Sequence, residues 1–391
     1  MVRIHQGKII EGDGVTTLST EIDFGKDDKR EVLISVAGEY GKFLSPERAD
    51  YALIGLFVRA MKRDEREIIC EAPVTEELLY NIKEILIPTL LNSDSRYRPI
   101  KIHAEMAPPL EKVPFAESIY GGVGTGLSCG VDSLHAVLKH YDSEYPSQNL
   151  THLVCLDIGN FQNGVYNSQK GRDDAVKEKT YERAEKVAVE LHLPLIKVES
   201  NFQRVIPLGN LYFHTYRSVM AVYAMQKLWR TYYYGSGYAF KDFTLESNFS
   251  KDPAYYDLLL LDCFSTAGLR LISDGGEGDR NDKIEFLADN PIAQKYLHAC
   301  IRTDHNCGVC EKCLRTLLAI DAANKLDNFR EVFDIDAYLK IRNQAWIYCH
   351  DKAAIAHNEP FYGKTYKILR ERNKEFFDSI TPKTKRIFKA K

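Results

Sequence analysis

The chain has 391 residues, of which 45% are hydrophobic and 27% charged, and its formal net charge at pH 7 is −3. This length predicts two or three domains with packed cores, and the near-neutral charge excludes a protein that grips nucleic acid by its overall charge. No apolar stretch reaches membrane-spanning length, and the N-terminus lacks a signal-peptide pattern. We therefore expect a cytoplasmic protein without membrane contacts, whose nine cysteines are metal ligands or buried thiols.

Residues 1–115 are predicted to form an N-terminal α+β accessory domain that carries no chemical motif. Strand-like runs cover residues 31–36, 67–70 and 97–103. Ser45-Pro46 is typical of an N-cap followed by proline, and predicts a helix through Met61. A second helix should begin at Thr75 and end near Pro88. Two roles are open for this region: packing on a catalytic domain, or holding a partner.

A glycine-rich run over residues 121–126 leads into a polar turn and an amphipathic helix. The first backbone N–H groups of a helix lack internal partners, and the helix dipole favours an anion there. Asp132 could cap the helix or help to hold Mg²⁺. A thiol at a helix N-terminus tends to ionise, so a catalytic role for Cys129 is an open alternative. We predict that the turn binds phosphate; the alternative is a capped helix without a ligand. The residues of this phosphate turn are Ser128, Cys129, Gly130, Val131, Asp132 and Ser133.

The turn matches neither G-x-x-x-x-G-K-[ST] nor G-x-G-x-x-G, which argues against a Walker-type loop and against a dinucleotide site. It resembles the S-G-G-x-D-S loop of the PP-loop ATP pyrophosphatase superfamily. Cys129 stands where that loop normally has glycine. The resemblance implies cleavage of ATP between its α and β phosphates and adenylation of a carboxylate or carbonyl group.

Strand and helix patterns alternate beyond this turn, with strands predicted at 150–158, 195–198 and 231–235 and helices at 173–192 and 211–229. This alternation predicts an α/β fold, a Rossmann-like doubly wound parallel sheet with ligands at the carboxyl ends of its strands. The phosphate turn, residues 157–159 and residues 235–237 should therefore share one mouth. Arg217 and Lys283, both predicted at helix starts, would offset charge on a leaving pyrophosphate there. The alternative for each is a solvated surface cation.

Four cysteines are spaced as C-x6-C-x2-C-x2-C: Cys300, Cys307, Cys310 and Cys313. Tight spacing of four thiols predicts a closed tetrahedral zinc site with a structural role, and an iron–sulfur cluster is the competing interpretation. His298 and His305 are spare nitrogen donors that we expect to be bystanders. The scattered cysteines are expected to be packed thiols, namely Cys70, Cys155, Cys263 and Cys349.

Residues 326–391 are predicted to form a C-terminal helical extension with a basic end. Residues 351–391 carry eleven Lys or Arg against five Asp or Glu, a net charge of +6. A solvated helix face is one interpretation of this excess. Docking to tRNA, DNA or an acidic partner is the other.

The order of these motifs resembles 7-cyano-7-deazaguanine synthase over residues 121–320, which places a PP-loop ATP pyrophosphatase domain at 116–325. The family activates the carboxylate of 7-carboxy-7-deazaguanine with ATP and Mg²⁺, releases pyrophosphate, and captures the adenylate with ammonia. The amide is activated again to give the nitrile. The resemblance thus implies ATP, Mg²⁺ and Zn²⁺ as cofactors.

The same resemblance assigns roles to individual residues. Ser128, Gly130, Asp132 and Ser133 would hold the pyrophosphate portion of ATP. Asp157, Ile158 and Gly159 would lie near the adenine or ribose. Arg217 and Lys283 would face the phosphates or the adenylated carboxylate, with Asp132 completing the catalytic set. The four cysteines would bind zinc, and a loose match to the family's substrate loop makes Gly237 and Asp242 candidates for base recognition.

Three features depart from ordinary members of that family: the N-terminal region, the C-terminal extension, and Tyr-Arg-Ser at 216–218 in place of Gly-Arg-Asn. They resemble extended paralogues of bacterial defence and nucleic-acid modification clusters, which implies a second hypothesis, conjugation of the activated base to an amine of a partner protein. A tRNA-modifying PP-loop enzyme is a third hypothesis, and a zinc-stabilised binding protein without turnover is a fourth. The expected partners are a small deazaguanine and an amine donor; a protein acceptor, nucleic acid and a homodimer are left open.

Overall fold

The computed structural model describes residues 1–115, 121–159, 173–207, 210–246, 252–355 and 360–380. Its strands are β1 (Val2–Ile4), β2 (Lys8–Gly12), β3 (Val15–Asp23), β4 (Lys29–Ala37), β5 (Glu67–Cys70), β6 (Val74–Thr75), β7 (Lys101–His103), β8 (Met106–Ala107), β9 (Gly122–Gly126), β10 (His152–Asp157), β11 (Leu195–Ser200), β12 (Trp229–Gly235) and β13 (Arg270–Asp274). Its α-helices are α1 (Asp50–Lys62), α2 (Glu76–Tyr80), α3 (Ile87–Ser93), α4 (Val131–His140), α5 (Asp173–Glu190), α6 (Phe202–Val205), α7 (Asn210–Ala224), α8 (Asp257–Phe264), α9 (Arg280–Ala288), α10 (Pro291–Tyr296), α11 (Glu311–Ala322), α12 (Ile335–Ile355), α13 (Gly363–Arg372) and α14 (Lys374–Asp378). Among these helices, none combines the length and apolar sequence needed to cross a membrane.

The strands form one mixed sheet in the order β13-β12-β9-β10-β11-β4-β3-β1-β5-β7, with β2 beside β3, and β6 and β8 pair separately. The five strands from β13 to β11 are all parallel. Numbered along the chain from β9, they have the order 5-4-1-2-3, which is that of doubly wound folds. The predicted α/β architecture with a central set of parallel strands is therefore confirmed.

Alternate residues of the parallel strands enter two hydrophobic cores, one on each face of the sheet. Val154 and Tyr232 belong to the core that includes α1, α7 and α8. Leu153 and Tyr233 belong to the core that includes α4, α9 and α11. Burial on both faces explains why the sequence of β10 is a nearly continuous apolar run.

The N-terminal strands continue the same sheet, because Glu199 and Ser200 of β11 pair antiparallel with Ser35 and Ile34 of β4. Helix α1 packs closely on α7: a Cβ added at Gly55 would lie 2.8 Å from Met220 Sδ. Residues before 115 thus share one hydrophobic core with α7 and α8. The boundaries proposed at residues 115 and 325 stay predictions.

Local structure corrects two of the predicted N-terminal helices. The first begins at Asp50 and not at Ser45, whose buried hydroxyl donates to the Tyr223 and Ala224 carbonyls. The second begins after Thr75 as predicted but runs past Pro88 to Ser93. A π-helical turn over residues 81–86 precedes this proline, which has no N–H to continue a regular ladder.

The predicted strands at 31–36 and 67–70 are confirmed as β4 and β5, whereas only residues 101–103 of the third form a strand. The helix predicted to reach Trp229 ends at Ala224, because Trp229 begins β12. The extension beyond residue 326 is helical over α12, α13 and α14. The basic residues after Ile380 lie outside the described part of the chain.

Candidate active site and metal centre

The phosphate turn connects the carboxyl end of β9 to α4, at the centre of the parallel strand order. This is where doubly wound sheets bind ligands, because the connections on either side diverge there. The hydroxyls of Ser128 and Ser133 lie 3.1 Å apart, and Ser133 Oγ donates to the Gly130 carbonyl over 3.1 Å. Two hydroxyls and the first N–H groups of α4 are therefore gathered in one turn.

Cys129 adopts a left-handed backbone conformation, with φ of +59°, at the position where the PP-loop motif has glycine. Its side chain is fully buried in the core that includes α4 and α11. Burial raises the pKa of this thiol to about 12, although Arg183 acts in the opposite direction. This is opposite to the lowered pKa that a helix N-terminus alone would produce, and the thiol is sequestered in the core.

Asp132, in the first turn of α4, forms an ion pair with Lys283 of α9, with 2.8 Å between Lys283 Nζ and Asp132 Oδ1. Arg280 NH1 lies 3.7 Å from the other carboxylate oxygen. Burial alone would raise the pKa of Asp132, but Lys283 and then Arg280 outweigh it and lower the pKa to about 2. Lys283 also donates to the Ser236 carbonyl over 2.5 Å, which fixes its ammonium group. As predicted, Lys283 lies in the first turn of its helix.

Further cations interact with this pair, namely Arg315 and Lys312. Burial lowers the pKa of Arg280 to about 10, with Arg315 adding to the effect. Burial followed by Arg315 and Arg280 lowers the pKa of Lys312 to about 8. The Nε atoms of Arg280 and Arg315 are buried and have no hydrogen-bond partner among the described residues. A cluster of this kind is stabilised by an anion that supplies the missing acceptors.

The sequence analysis selected none of Arg280, Lys312 and Arg315 as a site residue. A positional signal was available, because Arg280 and Lys283 are three residues apart on α9, and Lys312 and Arg315 are three apart on α11. Such spacing places side chains on one helix face. The missing information was that α9 and α11 pack together, and a hydrogen bond from Arg280 to Thr316 Oγ1 (3.0 Å) now shows this contact.

The stretch from Asp157 to Gly159 follows β10, next to the phosphate turn. Asp157 is buried, which raises the pKa of its carboxyl group in spite of an ion pair with Lys177 at 3.2 Å. Gly159 has φ of +105°, and a Cβ there would lie 2.2 Å from the Gln203 Cβ. Only glycine fits this conformation and this space.

Arg217 is fully buried in the middle of α7, so the prediction that it lies at a helix start is wrong. The helix begins at Asn210, one residue from the start predicted at 211 and about two turns before Arg217. Arg217 NH1 donates to the Ile158 carbonyl over 3.1 Å and to Gln203 Oε1 over 2.8 Å. In these contacts the guanidinium supports the backbone that follows β10.

The segment after β12 lies against the phosphate turn: a Cβ added at Gly235 would lie 2.9 Å from the Asp132 carbonyl oxygen. Gly237 has open space around it. Asp242 ends a 3₁₀ helix, Phe240–Asp242; burial raises the pKa of its carboxyl group, and Lys241 counters this. The structure thus brings residues 235–236 to Asp132 and Lys283, whereas Asp242 lies near the Asp279 cap of α9.

The C-terminal extension also reaches this site, which the sequence did not suggest. The Arg315 guanidinium lies 3.8 Å from the centre of the Phe361 ring. Thr365 Oγ1 donates to Asn281 Oδ1 over 3.0 Å, and Lys364 pairs with Asp282 at 2.5 Å. Helix α13 therefore covers the start of α9 and the side of the cation cluster.

The four predicted cysteines converge, with all four Sγ atoms within 4.8 Å of one another. Cys300 and Cys310 have their sulfurs 3.9 Å apart, and Cys307 and Cys313 have theirs 4.0 Å apart. A tetrahedral zinc site with Zn–S bonds of about 2.3 Å requires sulfurs about 3.8 Å apart. The donor set therefore fits a closed structural zinc site, and hydrogen bonds from Cys310 and Cys313 lower the pKa of the Cys300 thiol.

The histidines near this cluster do not join it among the described residues. His305 is exposed and pairs with Asp304, at 2.9 Å. His298 is largely buried; burial followed by Arg183 lowers the pKa of its imidazole to about 4. Asn306 organises the loop instead, because its Oδ1 accepts from the N–H groups of Ala299 (2.8 Å) and Cys300 (3.2 Å).

Comparison of the chain with models of known protein families, with curated proteins and with solved structures gives no match in any of the three. The resemblance to the PP-loop ATP pyrophosphatases therefore stays a prediction from the order of the sequence motifs.

Proposed function

We propose that this protein is a PP-loop ATP-dependent ligase that adenylates the carboxylate of a 7-carboxy-7-deazaguanine-like base with release of pyrophosphate. An amine then captures the activated acyl group to give an amide, which a second activation can convert to a nitrile. The chemistry is that of the 7-cyano-7-deazaguanine synthases, which the chain resembles in its motif order. ATP is the nucleotide substrate, and zinc has a structural role.

One observation supports this proposal most strongly: Asp132, at the head of α4, is paired with two buried cations and surrounded by more. Lys283 and Arg280 contact its carboxylate, and the Nε atoms of Arg280 and Arg315 have no protein acceptor among the described residues. A bound polyphosphate would supply those acceptors and pair with the buried cations. The structural alternative, a capped helix without a ligand, gives no reason to place the buried Lys283 and Arg280, together with Arg315, around Asp132.

The residues of the site suggest a division of roles. The N–H groups of α4 and the hydroxyls of Ser128 and Ser133 would bind the β and γ phosphates. Lys283 is already fixed by Asp132 and by the Ser236 carbonyl, so it can stabilise charge on departing pyrophosphate without reorganising. Arg217 would act indirectly, by holding the Ile158 carbonyl at the nucleotide side of the mouth.

Mg²⁺ is expected to arrive with the nucleotide, because proteins usually bind it through one or two carboxylates together with substrate phosphates. Asp132 is a carboxylate in the phosphate turn with 30% of its side chain exposed, so it fits that role. Bound there, Mg²⁺ would neutralise phosphate charge. The four-cysteine cluster would fix the start of α11 and thereby the positions of Lys312 and Arg315.

Carboxylate-dependent exchange of radiolabelled pyrophosphate into ATP tests the proposal, with 7-carboxy-7-deazaguanine as the carboxylate. We expect exchange by the wild-type protein and its loss by at least about 100-fold in Asp132→Asn. The matched control is Asp142→Asn, an exposed aspartate that follows the same helix. Absence of exchange in the wild type, or full exchange in Asp132→Asn, would contradict the assignment.

The acceptor is tested separately, by mass spectrometry of the products. Ammonia as acceptor gives a free amide or nitrile, and a protein acceptor gains the mass of the acyl-deazaguanine. A modified tRNA would instead support the nucleic-acid alternative.

A further inference from the structure

A second polar cluster lies beside the mouth and is not used by the phosphate chemistry. His214 of α7 stands between Tyr234, near the end of β12, and Asp252. Its Nε2 is 2.8 Å from Asp252 Oδ1, and its Nδ1 is 3.2 Å from the Tyr234 hydroxyl. The histidine and the aspartate keep 28% and 17% of their side chains exposed, so the cluster is open to a ligand.

The contacts of Asp252 determine which imidazole nitrogen carries the proton. Its Oδ1 also accepts the Ala254 N–H over 3.0 Å, and its Oδ2 accepts the Tyr238 hydroxyl over 3.3 Å. An ionised carboxylate can only accept hydrogen bonds, so His214 must donate from Nε2. In that tautomer Nδ1 can accept a hydrogen bond, and it faces the hydroxyls of Tyr234 (3.2 Å) and Thr215 (3.3 Å).

The cluster is carried by α7 and β12, which also carry parts of the proposed site. His214 and Arg217 are three residues apart on α7 and so lie on one face, and Arg217 contacts the backbone after β10. Tyr234 directly precedes Gly235, which lies against the Asp132 carbonyl. The cluster also lies where this chain departs from its family resemblance, immediately before Tyr-Arg-Ser at 216–218.

We propose that Tyr234, His214 and Asp252 form a proton relay that serves the nucleophile in the second half of the reaction. The inference rests on the proposed function, because it requires an acyl adenylate. The neutral amine attacks the acyl carbon, the C–N bond forms, and the C–O bond to AMP breaks with its electron pair leaving on AMP. The amine nitrogen gives a proton to the Tyr234 oxygen while the Tyr234 proton passes to His214 Nδ1. The resulting imidazolium is stabilised by Asp252.

Tyr234 is the catalytic group in this scheme, since it touches the reacting nitrogen, and Asp252 is a positioning residue. The test compares His214→Asn, Tyr234→Phe and Asp252→Asn with the wild type. Three rates are measured: carboxylate-dependent pyrophosphate exchange, amide formation from ammonia, and hydroxamate formation from hydroxylamine. Hydroxylamine is a strong, weakly basic nucleophile that loses its proton to water, so its reaction does not need the relay.

We expect exchange and hydroxamate formation to stay within about twofold of the wild type, while amide formation falls by about 100-fold or more in His214→Asn and Tyr234→Phe. The rate of amide formation should fall less in Asp252→Asn, because the asparagine side chain keeps an oxygen that accepts the orienting hydrogen bond. His192→Asn, at an exposed histidine, is the control and should change none of the rates.

Two results would overturn the relay while leaving the proposed function intact. Unchanged amide formation would show that the relay is not used, and equal loss of all three rates would show a structural role. If the wild type shows no exchange, the proposed function fails and the relay fails with it.

Discussion

The backbone N–H of His298 donates a hydrogen bond of 2.8 Å to the carbonyl oxygen of Cys129. The donor lies two residues before the first cysteine of the proposed zinc site, and the acceptor lies in the phosphate turn. Helix α11, which begins at the four-cysteine cluster, contributes Lys312 and Arg315 to the other side of Asp132. The four-cysteine cluster and the phosphate turn are therefore linked both by this hydrogen bond and through α11.

Removal of the metal should consequently weaken both the fold and nucleotide binding. We expect one zinc ion per chain, and a decrease in Tm of about 5 °C or more after chelation or in Cys310→Ser. Elemental analysis and thermal unfolding measure these outcomes. Cys70→Ala, at a buried thiol outside the cluster, should keep the metal. Iron in the elemental analysis together with visible absorbance would favour an iron–sulfur cluster over zinc. An unchanged Tm after complete chelation would contradict the structural role of the metal.

The ion pair of Asp132 should make stability depend on pH. The pKa of Asp132 falls from an ordinary value of 3.8 to about 2 in the folded protein. The stabilisation of the fold by this ion pair is therefore present at neutral pH and is lost as the pH falls through that range. We expect Asp132→Asn to lower the free energy of unfolding by about 2 kcal/mol at pH 7. Urea unfolding should show a smaller difference in the free energy of unfolding between Asp132→Asn and the wild type at pH 3 than at pH 7. An equal difference at both pH values would contradict the lowered pKa.

Cys129 should be unreactive in the native protein. With its pKa raised to about 12 by burial, the thiolate fraction at pH 8 is about 10⁻⁴. Alkylation with iodoacetamide followed by peptide mass spectrometry should modify Cys129 only after denaturation. The half-buried Cys307 provides the comparison, because it should become labelled once the metal is chelated. Rapid native labelling of Cys129 would restore the hypothesis of a reactive thiol.

Gly159 should not tolerate a side chain. Alanine there must adopt φ of +105° and place its Cβ 2.2 Å from the Gln203 Cβ, so we expect a loss of at least about 2 kcal/mol in stability. Gly237→Ala is the matched control, because nothing lies within 4 Å of its added Cβ. Chemical denaturation measures both variants. Equal stability of the two would show that the backbone after β10 relaxes more easily than its contacts with Arg217 and Gln203 imply.

Local sequence patterns predicted several features because short-range physics determines them. The apolar run at 152–157 is typical of a strand buried on both faces, and the four closely spaced thiols converge as predicted. Lys283 lies in the first turn of α9 as predicted, and the structure shows that Asp279 caps this helix. The ligands and reactions drawn from the family resemblance stay predictions.

Other features depend on packing between distant segments and could not be obtained from local patterns. Ser45 looks like a helix cap in the sequence. In the folded chain it is buried, and its hydroxyl donates to the carbonyls of Tyr223 and Ala224, which are 178 and 179 residues away. Arg217 was predicted at a helix start facing the phosphates, yet it lies in the middle of α7 and is fully buried. The cation cluster and the hydrogen-bonded group of Tyr234, His214 and Asp252 each join separate elements of the fold.

The antiparallel contact between β4 and β11 has a practical consequence for anyone who wishes to isolate the half of the molecule that carries the phosphate turn. A fragment starting after residue 115 would leave the backbone hydrogen-bonding groups at 199–200 without their partners and the apolar face of α7 without α1. An exposed strand edge of that kind recruits other chains, so we expect such a fragment to aggregate. A usable truncation must therefore bring a substitute edge strand with it.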